Sequence, residues 1–434
     1  MFGPVRLVVG LLWLALALQS AVAEEQVFEA RGQATYLWQY HPSFGAPYSG
    51  TNSLLPVRER GYTFTSTLFL GARSGDTELY FNPEFVRAFA FSDLHGLGGL
   101  SNGENQRGAG PTLRGYRARL FVRQTWNVSG EREEQASEPN QVKASYAPER
   151  FVLTAGNLSV LDVFDAMDYS HDPRTQFMNW SGLTYGAFDY AADARGYTWG
   201  AALEYIHPKW QARVGRFLVP VESNGIRLEW SFLKRYSDVA ELELPYKLGE
   251  RSGIFRVLGF QNRVTAGSFD EAVAVAPAGA APDVANVRRA QTKRGIGVST
   301  QIEATDDVGA YVRAGWSDGR TEEFMFTEID RSLAAGVLVK GTSWGRPEDK
   351  LGFAGYVNGL SRAHRDYLAA GGLGFFLGDG RLNYATERIA ETFYSLGVNK
   401  YWSVSLGYQR IGNPGYNRDR GPVDVLTLRL HVEI

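Results

Sequence analysis

The last ten residues, VLTLRLHVEI (425–434), set Leu426, Leu428, Leu430, Val432 and Ile434 on one side of an extended strand and Thr427, Arg429, His431 and Glu433 on the other. One side is wholly apolar and the other is polar or charged. Residues 401–410 repeat the pattern, with Trp402, Val404, Leu406 and Tyr408 opposing Ser403, Ser405, Gly407 and Gln409. In 197–206, Trp199, Ala201, Leu203 and Tyr205 oppose Thr198, Gly200 and Glu204. In 308–316, Val308, Ala310, Val312, Ala314 and Trp316 oppose Gly309, Tyr311, Arg313 and Gly315. In 116–124, Tyr116, Ala118, Leu120 and Val122 oppose Arg117, Arg119, Phe121 and Arg123.

A soluble sandwich also alternates, its apolar face forming the core. Two features favour a membrane instead. Several apolar stripes begin or end in Trp or Tyr (Trp199, Tyr205, Trp210, Trp316, Trp402, Tyr408), as expected of rings at lipid–water interfaces. The strands also run about 9 to 11 residues, the length a tilted strand needs to cross a bilayer. The expected class is therefore all-β, a transmembrane antiparallel β-barrel. Seventeen candidate strands can be marked: 31–40, 62–72, 77–85, 114–125, 149–158, 184–193, 196–206, 210–217, 237–245, 253–264, 294–303, 308–316, 330–340, 350–358, 386–397, 401–411 and 423–434. Bacterial single-chain barrels are usually even, so the expected count is sixteen, or eighteen. The connections 41–61, 86–113, 159–183, 266–293 and 359–385 are long enough to be functional loops, partly folded into the lumen.

Composition supports this class. The chain has 434 residues, 49 Gly, 22 Tyr and 25 Phe, only four Met and no Cys. Strands and tight turns fit that usage better than helical bundles. The lack of Cys excludes thiol catalysis and Cys-ligated zinc. Lys and Arg number 45 against 47 Asp and Glu, so no dominant basic surface for nucleic acid is expected. Arg6, the apolar run 7–18 and Ala21, Val22, Ala23 have the order of a secretory signal peptide, expected to be removed after Ala23. Residues 24–434 would then form the barrel. No later apolar run approaches the 18 residues a spanning helix needs, which excludes a helical inner-membrane protein.

Ten segments together resemble one family: GQATYLWQY (32–40), PYSG (47–50), TELYFNPE (77–84), NGE (102–104), RARLFVRQT (117–125), LDVFD (161–165), HDPRTQF (171–177), WGRP (344–347), HRDYL (364–368) and NPGYNRDRGP (413–422). In this order they are similar to the carbohydrate-selective porins of the OprB family, outer-membrane barrels of Gram-negative bacteria. The resemblance implies sixteen strands, passive uptake of small sugars and arginines lining a constriction. It also implies outer-membrane lipid and the barrel-assembly machinery as partners, the latter through the C-terminal strand. Such barrels usually end in an aromatic residue, whereas this chain ends in Ile434.

A sugar pore needs hydrogen-bonding groups for hydroxyls and ring faces for the C–H surface. Arg117, Arg119 and Arg123 share one strand face by spacing and are expected to project into the lumen, with Glu78 and Glu84 as compensating carboxylates. The segment 162–180 does not alternate. Its Asp162, Asp165, Asp168 and Asp172 suggest a capped loop or a calcium site, though without the EF-hand order. Folded inward with a short helix, this segment would offer Phe177 or Trp180 as a stacking face. Catalytic signals fail. GLSRA (359–363) lacks the closing Gly of a nucleophile elbow, and GLG (372–374) is followed by Gly378, too late for a dinucleotide fingerprint. No two of His41, His95, His171, His207, His364 and His431 have zinc-ligand spacing. No catalytic residue, cofactor or metal is expected. A general size-selective porin, and a barrel anchoring an enzyme or adhesin, are the competing readings.

Overall fold

The computed structural model describes residues 26–107 and 109–434, so the expected signal peptide lies outside the described residues. Sixteen of the described strands close an antiparallel barrel, in which each strand pairs with its neighbours and the last pairs with the first. They are β1 Val27–His41, β2 Glu59–Ser74, β3 Thr77–Phe89, β4 Arg114–Ser129, β7 Glu149–Leu158, β8 Thr198–His207, β9 Trp210–Phe217 and β10 Tyr236–Leu248. The wall continues with β11 Arg251–Ala266, β12 Arg289–Thr305, β13 Val308–Ser317, β14 Arg331–Lys340, β15 Lys350–Gly359, β16 Glu387–Gly397, β17 Trp402–Gly412 and β18 Val423–Glu433. The remaining two, β5 Glu133–Gln135 and β6 Ala144–Tyr146, form a separate hairpin.

The even count emerges because one expected strand, 184–193, is not a strand. Its apolar residues are buried inside the barrel, among them Tyr185, Phe188 and Ala191. A segment enclosed on every side by wall and loops shows an apolar pattern without needing a ladder partner.

The faces fall as the alternation predicts along most of the wall. Leu406, Leu426 and Leu430 point outward, at 66%, 49% and 38% exposure, while Ser405, Thr427 and Arg429 are buried inside. Exposed rings flank the outward apolar band, with Trp126, Trp210 and Trp402 near one rim and Phe89, Trp230 and Trp316 near the other. Loops join the strands very unequally at the two ends. At one end, 75–76, 208–209, 249–250 and 306–307 are two-residue turns. At the other lie 42–58, 90–113, 159–197, 218–235, 267–288, 318–330, 360–386 and 413–422.

β4 departs from strict alternation. Asn82 pairs with Arg119 and Pro83 with Arg117, leaving Ala118 without a partner in a one-residue bulge. A bulge exchanges the two faces of the strand beyond it. Tyr116 therefore faces the lumen, pairs with Glu84 and donates its hydroxyl to that carboxylate. Arg117 does not join Arg119 and Arg123 in a ladder. It is exposed on the outward side, donates from Nε to Asn157 Oδ1 at 3.1 Å and lies over the Trp199 ring at 5.1 Å.

The packed core is the lumen itself. Segment 159–197 runs inward and packs Phe164, Phe177, Trp180, Tyr185 and Phe188 against the inward wall residues Phe217, Phe260, Tyr311, Tyr356 and Phe393. Irregular backbone buried this way needs partners for its amides and carbonyls. Wall carboxylates accept the amides: Glu241 takes Asp165 N at 2.7 Å, and Glu391 takes Met178 N at 2.6 Å and Asn179 N at 3.3 Å. Glu387 accepts Gly98, Gly99 and Gly415. Wall arginines donate to the carbonyls, Arg313 to Ser170 and Gly182, and Arg429 to Pro173 and Gln176.

Candidate functional site

Three cavities follow one another through the barrel. The first, of about 460 Å³, opens among the long loops between Arg107, Glu222, Arg288, Glu322 and Phe375. It shares Arg107, Ala194 and Asn224 with a central cavity of about 370 Å³. That cavity in turn shares Pro139, Asn140 and Asp162 with a third of about 340 Å³ at the short-turn end. The three thus form a succession from the long-loop end to the short-turn end.

The central cavity is built largely from loops. Its lining carries Arg107, Arg119, Arg174 and Arg195 and the carboxylates Glu104, Asp162, Asp172, Asp193 and Glu433. Every one of these arginines already has a protein acceptor. Arg119 binds both oxygens of Asp162 at 2.7 Å, and Arg174 reaches Glu104 at 2.9 Å and Glu84 at 3.2 Å. Arg195 holds Asp193 at 2.6 Å, and Arg107 donates to the backbone oxygens of Ser223 and Asn224. Forks held this way are fixed in direction: Arg119 and Arg195 are each gripped through Nε and Nη2, whereas Arg174 engages all three nitrogens, with Glu104, Thr67 and Glu84. Aromatic faces stand beside them: Tyr197 lies under Arg119 at 5.2 Å, and Trp180 stacks on Phe326 at 5.1 Å with 10° between the planes.

The turn that presents Arg174 is fixed by Asp172, whose Oδ1 accepts Arg174 N at 3.0 Å and whose Oδ2 accepts the Thr175 hydroxyl at 2.8 Å. Burial works to raise the Asp172 carboxyl. The Arg174 guanidinium and these two hydrogen bonds overcome it and hold the group below the usual carboxylate range. The other aspartates of the segment go to separate partners. Asp165 pairs with Arg313 at 3.0 Å, and Asp168 accepts from Gln301 at 2.5 Å. They do not converge on a calcium site. The short helical turns are Val160–Asp162 and Trp180–Leu183.

Among the other expected residues, Arg123 and Glu78 line the third cavity and pair at 3.4 Å. Glu84 is fully buried and compensates Arg174, a loop residue, more directly than the strand arginines. Trp180 lines the central cavity. Phe177 is packed between Tyr311 and Phe393, at 6.0 and 5.2 Å between ring centres, and fastens its segment to the wall. Arg107, Arg195 and Phe326 escaped sequence reasoning because they lie on loops without periodicity, and Tyr190 and Asp193 because they fall in 184–193, whose apolar pattern reads as a wall strand. Several of their cavity neighbours do sit in segments that carry a sequence signal, among them Gln33 in GQATYLWQY, Glu104 in NGE, Arg119 in RARLFVRQT, Asp162 in LDVFD, and Asp172 and Arg174 in HDPRTQF.

The closed barrel and its polar, aromatic path describe a channel rather than an enzyme. A structure similar to it is the high-pH form of OprB from Pseudomonas putida, 16% identical, with 94% of each chain covered and a TM-score of 0.65. Another is the outer membrane channel DcaP of Acinetobacter baumannii, 10% identical, covering 96% of this chain and 99% of that one, with a TM-score of 0.50. At these identities the likeness is one of fold. No curated protein sequence matches significantly. The family described as carbohydrate-selective porin, OprB family, matches residues 61–434, beginning after the segments at 32–40 and 47–50. With that match over most of its length, the chain belongs to the OprB family of carbohydrate-selective porins, sugar channels of the Gram-negative outer membrane.

Proposed function

We propose that sugars diffuse passively through the three cavities and are selected in the central one, by Arg119, Arg174 and Arg195 with the faces of Trp180 and Tyr197. The observation that carries this reading is the placing of guanidinium–carboxylate pairs beside aromatic rings in the middle of the path. Paired groups exchange water for sugar hydroxyls at little net cost, and weak binding suits a pore because a tightly held solute would block it. With four arginines against five carboxylates in the lining, ion preference is weak, not the anion preference that an arginine ladder would give. Short periplasmic turns and long outer loops are the rule for such barrels, which makes the Arg107 cavity the external mouth and the Arg123–Glu78 cavity the exit.

The chain reaches the membrane as an exported precursor that loses residues 1–23, and the assembly machinery takes it up through β18. It performs no catalysis. Liposome swelling tests the whole reading with a monosaccharide, a disaccharide and an amino acid of matched size. Faster entry of the monosaccharide than of the amino acid is expected. Equal rates would favour a general size-selective porin, and no swelling at all would favour a barrel that anchors an enzyme or adhesin.

A further inference from the structure

Away from the central cavity, three buried donors meet beneath the floor of the external mouth. Glu323 and Asp330 belong to loop 318–330, and His364 lies in the first turn of the helix Arg362–Ala369. Their exposures are 1%, 0% and 0%. His364 Nδ1 is 3.1 Å from Asp330 Oδ2 and 3.6 Å from Glu323 Oε2, and one donor atom from each residue lies within 4.8 Å of the others. Two atoms here have no hydrogen-bond partner among the described residues, Glu323 Oε2 and His364 Nε2. Buried polar atoms left this way call for an explanation.

We propose that Glu323 Oε2, Asp330 Oδ2 and His364 Nδ1 form a binding site for a divalent transition-metal ion such as zinc. In a tetrahedral zinc site with bonds of about 2.0–2.1 Å, neighbouring donor atoms stand about 3.3–3.4 Å apart, and the two edges at His364 bracket that value. One imidazole with two carboxylates is a donor set suited to zinc and its neighbours, and it leaves a coordination position open.

The outer groups fit the same assignment. Glu328 Oε1 lies 3.9 Å from His364 Nε2, on the side where it would accept the proton that ligation through Nδ1 requires there. The other Glu328 oxygen is fixed by the amides of Phe376 and Leu377. Lys293 takes Glu323 Oε1 at 3.2 Å, which leaves Oε2 to the ion, and Ser361 N supports Asp330 Oδ2 at 2.8 Å. Asp189, Glu323, Glu328 and Asp330 gather around the Lys293 ammonium and one imidazole, so a dication would relieve an excess of buried negative charge. Phe269 stacks on His364 at 4.3 Å and lines the external cavity, so its movement would admit the ion. A bound ion would tie loop 318–330, which carries Phe326 of the central stack, to the helix beside it.

The rival arrangement is a protonated His364 paired with Asp330, which takes no metal. The purified barrel, stripped with chelator, is loaded with zinc, desalted and analysed for metal content. Wild type should retain one zinc per barrel, and His364→Gln and Glu323→Gln should retain none while still shifting mobility on boiling as folded barrels. Glu328→Gln should weaken zinc about tenfold or more. Should the variants fail to fold, cobalt(II) on wild type decides: intense visible bands of a four-coordinate ion support the site. Equal zinc in wild type and His364→Gln, or only the weak bands of hydrated cobalt, would overturn it.

Discussion

Arg119 on β4 grips Asp162 in the first turn of the inward segment, Nε to Oδ2 and Nη2 to Oδ1, each at 2.7 Å. The pair is bidentate and locks wall to loop across the border of the central and exit cavities. Breaking it exposes one uncompensated charge to the path. Arg119→Ala should shift the reversal potential of a planar bilayer in a salt gradient toward cations, and Asp162→Asn should shift it toward anions. Shifts of the same sign would show that the pair does not border the ion path. An unchanged monosaccharide rate for Arg119→Ala would place this arginine outside the selecting zone.

Arg313 anchors the same segment from β13. It is 1% exposed, pairs with Asp165 at 3.0 Å and donates to the carbonyls of Ser170 and Gly182. Arg313→Ala strands a buried carboxylate and should cost about 3–5 kcal/mol in urea unfolding of the detergent-held barrel. Single-channel conductance should rise as the segment loosens. Unchanged conductance with full loss of stability would mean that the segment keeps its place without this anchor.

The outer face offers a simpler test. Leu406, midway along β17 and 66% exposed, should tolerate Phe but lose about 2–4 kcal/mol as Arg, the cost of a cation at the bilayer midplane. Refolding titrations into lipid vesicles measure this, and equal stability of the two variants would mean that the faces are reversed. The adjacent inward position is no neutral control. Ser405 is packed against Arg429, whose Nη2 donates to its hydroxyl at 3.1 Å, so Ser405→Arg would also destabilise.

Acid should act on the Arg174 turn. Because the folded Asp172 carboxyl lies below its unfolded value, its contribution is complete above about pH 4. It is lost as pH falls through the lower folded value. The share of protease protection that Asp172 gives residues 172–176 should therefore hold constant from neutrality to about pH 5 and decline only in stronger acid. Asp172→Asn should give weaker protection at neutral pH with a flatter acid response. A wild-type decline already between neutrality and pH 5 would point to a different group.

The wall was legible in the sequence because alternation survives wherever one face meets lipid. Leu426, Leu428 and Leu430 against Thr427, Arg429 and His431 suffice for β18. Legibility ended where a local event changed the phase, as at Ala118, which carries Arg117 out of the lumen and Tyr116 into it. It ended also in the interior. Segment 184–193 is rich in aromatic and small residues for the same reason as a core strand, burial, yet lies in a loop. The lining was least visible, since Arg107, Arg174 and Arg195 meet through folded loops and share no spacing.

The wall carboxylates that receive loop amides separate two inheritances. Glu241, Glu387 and Glu391 hold peptide N–H groups, which every residue except proline supplies whatever its side chain. These amide contacts are indifferent to which side chains the inward segments display, whereas the Arg119–Asp162 and Arg313–Asp165 pairs and the packing of Phe177 are not. A descendant of this channel could exchange the groups presented to the solute, one substitution at a time, while the same berths in the wall kept the loops in place, and new substrate ranges could arise without a passage through unfolded intermediates.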